Sequence, residues 1–101
     1  MYKLHLSSRS KKSLQKTGEY LLIKWDTKVL VKFIDKTKKV FDQIKDMPES
    51  FPEIEGLPGV RRSLITKHNS VYYRIIKQNN TIQILDIIDT RQKNKHPKKL
   101  K

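Results

Sequence analysis

The sequence predicts an α+β fold: an N-terminal strand, an antiparallel helical hairpin, and then a three-stranded antiparallel meander that completes one small sheet. Three observations carry this. Apolar residues alternate at the N-terminus, they recur every 3.6 residues over the two stretches that follow, and three short runs rich in β-branched residues come next.

Tyr2, Leu4 and Leu6 alternate with Lys3 and His5, so a strand with one buried face is expected first. Ser7 and Ser8 offer N-cap oxygens, and from Ser10 onward Leu14, Leu21, Leu22 and Trp25 share a helical face with the small Gly18. Asp26 is placed to cap a second helix. In it Leu30, Phe33, Ile34, Thr37, Val40, Phe41 and Ile44 keep the period until Pro48 ends it. So short an interval folds the helices back on each other, and both apolar stripes are expected to be core. The stretch 47–59 then gathers Pro48, Pro52, Gly56, Pro58 and Gly59 and reads as a loop between helices and sheet.

The meander is expected over 60–68, 71–77 and 81–88, with Asn69-Ser70 and Asn79-Asn80 as its turns. In the middle run Val71, Tyr73 and Ile75 should face the helices, leaving Tyr72, Arg74 and Ile76 on the other side. The last run is apolar on both faces, Ile82, Ile84 and Ile88 against Leu85 and Ile87, which makes it central and leaves a second face to be covered. The basic tail, or a segment of a partner, would cover it. Residues 1–89 thus read as one domain and 90–101 as a basic C-terminal tail with no acidic residue.

A chain of 101 residues supports one core. Its net charge is +13, from 23 Lys and Arg against 10 Asp and Glu, and that self-repulsion calls for an anionic partner. The acidic cluster Asp42, Asp46, Glu49, Glu53 and Glu55 breaks the positive field near the junction of helix and loop, so a bipolar molecule is expected. Without cysteine there are no disulfides, thiolate nucleophiles or Cys-ligated metals. His5, His68 and His96 lack paired-ligand spacing, so no metal or other cofactor is expected. No signal-type apolar stretch and no run near the ~18 residues of a membrane span is visible, so a cytoplasmic protein without a membrane partner is expected.

Several residues resemble the RelE/ParE toxin superfamily of bacterial type II toxin–antitoxin systems: Trp25 before Asp26, the segment Pro48-Glu49-Ser50-Phe51-Pro52, and Arg61-Arg62 opening the meander. Val71-Tyr72-Tyr73-Arg74-Ile75 and Asp86-Ile87-Ile88-Asp89-Thr90-Arg91-Gln92 are the most specific stretches. The resemblance spans nearly the whole chain. It implies a growth-inhibiting toxin neutralised by a cognate acidic antitoxin whose amphipathic segment wraps it. ParE-like members poison DNA gyrase and RelE-like members cleave messenger RNA in the ribosome, so a plasmid-stabilising gyrase poison and a ribosome-dependent messenger RNA endoribonuclease are both within reach of the fold.

The RelE-like activity is a metal-independent endoribonuclease, which needs a base for the 2′-hydroxyl, cations for the developing phosphorane charge and an acid for the leaving oxygen. Arg61, Arg74 and Arg91 are the candidate phosphate clamps, and His68 and His96 the candidate proton-transfer groups. Ser63 and Ser70 fall where RelE-like members carry basic residues, and Pro97 stands near their aromatic acid group. That incomplete set favours the gyrase-directed activity. Arg62, Tyr72, Lys93, Lys95, Lys98 and Lys99 are the candidates for target or antitoxin binding. A basic nucleic-acid-binding module without toxicity is the alternative of another class, and steep salt dependence of binding to naked nucleic acid would mark it.

Overall fold

Local chemistry sets the first half of the molecule. In the computed structural model, which describes residues 2–89, β1 (Lys3–Leu6) leads into α1 (Ser8–Lys24) and α2 (Thr27–Asp46). Ser7 Oγ accepts the Ser10 amide at 3.0 Å and Asp26 Oδ1 accepts the Val29 amide at 3.1 Å. Each helix therefore begins at a side chain that satisfies an orphaned backbone donor. With only Trp25 and Asp26 between them, α1 and α2 form the expected hairpin. No helix among the described residues is long and apolar enough to cross a membrane.

The described residues form a sheet of five strands where four were expected: β2 (Glu53–Ile54), β3 (Leu57–Thr66), β4 (Asn69–Ile76) and β5 (Thr81–Asp89) join β1 in the order β1-β5-β4-β3-β2. β1 runs parallel to β5, and the other pairs are antiparallel. As predicted, β5 is central. The stretch 47–59 is not a plain loop. It makes a 3-10 turn at Pro48–Ser50, then β2, then the start of β3, turning through Gly56 at φ 84. The β2–β3 register jumps between Glu53↔Arg61 and Ile54↔Leu57, so Pro58 sits in a bulge, where its missing N–H costs no ladder bond. Gly59, at φ 82, donates its amide to Glu53 Oε1 at 3.0 Å.

The first meander turn also moves. Lys67 and His68 form it, while Asn69 and Ser70 are buried at the start of β4. Turn chemistry comes from the flanks: Thr66 Oγ1 accepts the His68 and Asn69 amides, both at 3.1 Å, and donates to Asn69 Oδ1 at 2.8 Å. The second turn lies where Asn79-Asn80 predicts it, with Asn80 left-handed at φ 52.

The main core lies between the helices and one sheet face, where Phe33, Val40, Ile44, Val71, Tyr73, Ile82 and Ile84 meet. Each such side chain contributes roughly 1.5–3 kcal/mol on burial. A second, smaller cluster of Leu57, Val60, Tyr72, Leu85 and Ile88 is buried on the opposite face. The expected alternation of β5 breaks at Leu85, which has no partner because the register steps from Tyr72↔Asp86 to Tyr73↔Ile84. This bulge shifts the phase by one residue, so Ile87 joins the helix side and Ile88 the other, the reverse of the simple pattern.

The helical stripes are only partly core. Leu14 and Leu21 pack against it, but Leu22, Ile34 and Trp25 are 51%, 41% and 65% exposed. The sheet is too narrow to cover the far end of the hairpin.

Tyr73 ties the sheet to the proline segment: its hydroxyl donates to the Pro48 carbonyl at 2.6 Å and its ring meets Phe51 edge-on. Burial pushes its pKa up to about 12, with Arg61 pulling the other way. Tyr73→Phe should lower the free energy of unfolding by about 1 kcal/mol in urea titrations at neutral pH. Because unfolded tyrosine ionises near 10, the native protein should lose stability as pH rises from about 10 to 12. The Phe variant should show a shallower loss across that window.

Candidate functional site

Alternation along β3 sends its two arginines to opposite faces. Arg61 pairs with Tyr73 and lies on the helix side, where its guanidinium donates to the carbonyls of Phe51 and Glu49 and meets Glu53 at 3.5 Å. It fastens the proline segment to the sheet. Arg62 is exposed and pairs with Tyr72, whose ring is buried in the second cluster. One row along the same face, Arg74 pairs with Val60 on one side and Gln83 on the other.

The ribonuclease candidates therefore do not converge. Arg61 and Arg74 are on opposite faces, and His68 is in the β3–β4 turn, about 17–20 Å of strand away from Arg74. Ser63 and Ser70 are buried, and Ser70 Oγ has no hydrogen-bond partner among the described residues. Arg91, Lys93, Lys95, His96, Lys98 and Lys99 lie outside the described residues. Of the acidic cluster, Asp42 pairs with Lys45 within α2, while Glu49 and Glu53 pair with Lys77 and Arg61 and so tie the segment after α2 to the sheet.

Two surfaces emerge that the sequence alone did not assemble. One is an apolar groove of about 420 Å³ between α1 and α2, lined by Leu14, Gly18, Leu22, Leu30, Phe33 and Ile34. Gly18 lies in its wall, where a Cβ would make an ordinary contact, 3.6 Å from Leu30 Cδ1. The other crosses the sheet away from the helices. The register His5↔Gln83↔Arg74 places these three in one row over β1, β5 and β4. Neither His5 nor Gln83 carried a sequence signal, because nothing local tells that the first strand pairs with the last.

A family model described as the ParE toxin of the type II toxin–antitoxin system parDE matches residues 4–94. The chain belongs to the ParE toxin family. No curated protein matches it in sequence. Solved structures with similar folds include the chromosomal ParDE toxin–antitoxin system from P. aeruginosa, at 18% identity over 88% of this chain and 96% of that one, TM-score 0.66. The isolated E. coli RelE toxin is similar at 15% identity over 93% and 89%, TM-score 0.64. The intact E. coli RelBE complex matches at 16% identity over 88% and 96%, TM-score 0.63. The strand, helical hairpin and closing meander are thus those of a RelE/ParE toxin.

Within this ParE-family toxin, the bonds of Arg61 set an expectation. Arg61→Ala should cost about 1–2 kcal/mol in chemical denaturation, because charge-assisted hydrogen bonds to the partly buried Phe51 carbonyl and the exposed Glu49 carbonyl are lost. Arg62→Ala, next in sequence but exposed, should stay within about 0.5 kcal/mol of the parent.

Proposed function

We propose that this toxin inhibits growth through a ParE-like action on DNA gyrase and is neutralised by a cognate acidic antitoxin. The observation that carries the first part is the fate of the β3–β4 positions. Metal-free RNA cleavage needs a base, an acid and cations around one phosphate. Here Arg61 is engaged in bracing the proline segment, Ser63 and Ser70 are buried, and His68 and Arg74 are far apart. That dispersal favours a target bound rather than hydrolysed, and the match to the ParE family model supports it.

The antitoxin part rests on charge and shape. The hairpin from residue 8 to 46 carries eleven Lys and Arg against five Asp and Glu, and it leaves an apolar groove open between its helices. An amphipathic helix with an acidic outer face fits both features, laying its apolar side on Leu22 and Ile34. The ParDE and RelBE structures with the same fold are toxin–antitoxin systems or complexes.

Two measurements test the proposal. On induction, plasmid supercoiling should change while ribosome-bound messages stay intact, and an adjacent small open reading frame should encode an acidic protein whose co-expression restores growth. Message cleavage that disappears in Arg74→Ala would instead identify the RelE-like ribonuclease. In the second, Leu22→Glu combined with Ile34→Glu should weaken antitoxin binding at least tenfold by calorimetry, through lost apolar burial and added like charge. Unchanged affinity would move the antitoxin off the groove.

A further inference from the structure

Two arginines of the sheet have opposite fates. The Arg61 guanidinium is held by two carbonyls and a carboxylate. Arg74 is half-buried, yet among the described residues its guanidinium makes neither a hydrogen bond nor an ion pair. A partly desolvated guanidinium with unused donors is costly to keep unless an anion meets it.

What surrounds Arg74 narrows the anion. Gln83 and His5 follow it in one row, spanning about 10 Å across three strands, and Lys3 stands two residues before His5 on the same side of β1. A concavity of about 420 Å³ opens beside this row, lined by Lys3, His5, Ile76, Asn79, Thr81 and Gln83, with no carboxylate in its wall. Its rim is held by two bonds to backbone carbonyls: the Lys3 amide donates to the Asn80 carbonyl at 2.8 Å, and the Thr81 hydroxyl to the Asn79 carbonyl at 3.2 Å. A lysine on an edge strand often serves only to deter strand pairing. That role does not require an unpaired arginine two strands inward, nor an amide side chain between them.

We propose that this row, with the concavity beside it, is a binding site for phosphate oxyanions, with Arg74, which stands just outside the concavity's wall, as the inner anchor and Gln83, His5 and Lys3 carrying the contact toward the sheet edge. Guanidinium offers a fork matched to phosphate oxygens, and cationic side chains along a row suit successive phosphates of a single nucleic-acid strand. Ile76 gives the strand's sugars an apolar surface. The site is independent of the gyrase and antitoxin assignments, which stand or fall by the measurements above.

The test uses the full chain and a fluorescent single-stranded oligonucleotide of about ten nucleotides, followed by anisotropy over a range of salt. Arg74→Gln, and separately Lys3→Gln with His5→Gln, should each weaken binding about tenfold and make the salt dependence shallower by about one phosphate per charge removed. Lys32→Gln with Lys36→Gln, which removes two charges, at least as many as either test set, from the exposed side of α2, should change affinity less than about twofold. Equal losses in both sets would overturn the site in favour of diffuse charge. So would an unchanged Arg74→Gln with native circular dichroism. If Arg74→Gln does not fold, Arg74→Lys, which keeps the charge and loses the fork, should still bind more weakly. Competition distinguishes the source of phosphate. Displacement by equal concentrations of inorganic phosphate assigns the groove to the free ion, and resistance assigns it to the strand. Displacement by polyglutamate as effective as by unlabelled oligonucleotide would overturn the phosphate assignment.

Discussion

The parallel seam between Lys3–Leu6 and Thr81–Ile84 is the constraint from which the rest of the molecule is arranged. It makes β5 a central strand, apolar on both faces, and it delivers the chain to α1 beside the continuation of β5. There the Ser7 amide donates to the Ile84 carbonyl and the Ser7 hydroxyl to the Leu85 carbonyl. Ser13 then donates to Asp86 at 2.6 Å. Side-chain hydroxyls thus hold α1 along β5 where a purely apolar contact would leave backbone and carboxylate groups unsatisfied. With α1 fixed, α2 has one place to lie, across the meander.

A chain this basic and this lean in apolar residues divides its surface. Glu49 and Glu53 near the helix-loop junction are engaged by Lys77 and Arg61, while the hairpin and the row of Lys3, His5 and Arg74 keep an excess of basic side chains. The helices cover one sheet face and leave their own far end uncovered. A partner that supplies both negative charge and apolar area would relieve two costs at once, repulsion and exposed hydrocarbon. Membership of a toxin family with antitoxin-bound relatives accords with such a surface.

What the sequence made legible was local. Asp26 caps α2 because its oxygen needs only the next turn of chain, and Asn80 turns left-handed for reasons within its own residue. The failures needed a second segment. Nothing in the run 81–88 announces that Leu85 is an extra residue, since a bulge exists only relative to the neighbouring strand. The stripe of α1 told which side of the helix faces inward, but the width of the sheet decided that Leu22 and Trp25 stay exposed. Arg61 and Arg62 looked equivalent until the pairing with Tyr73 sent one of them beneath the proline segment. The row of His5, Gln83 and Arg74 joins residues from both ends of the domain, so only the topology could bring it together.

The outermost strands bear on how such a molecule avoids self-association. β2 is two residues long, flanked by Pro52 and Gly56 and carrying Glu53, and β1 is four residues long with Lys3 and His5 exposed. Each presents too short and too charged a border to template another sheet. Both borders of the sheet among the described residues thus disfavour edge-to-edge stacking, even while apolar side chains remain uncovered on the hairpin.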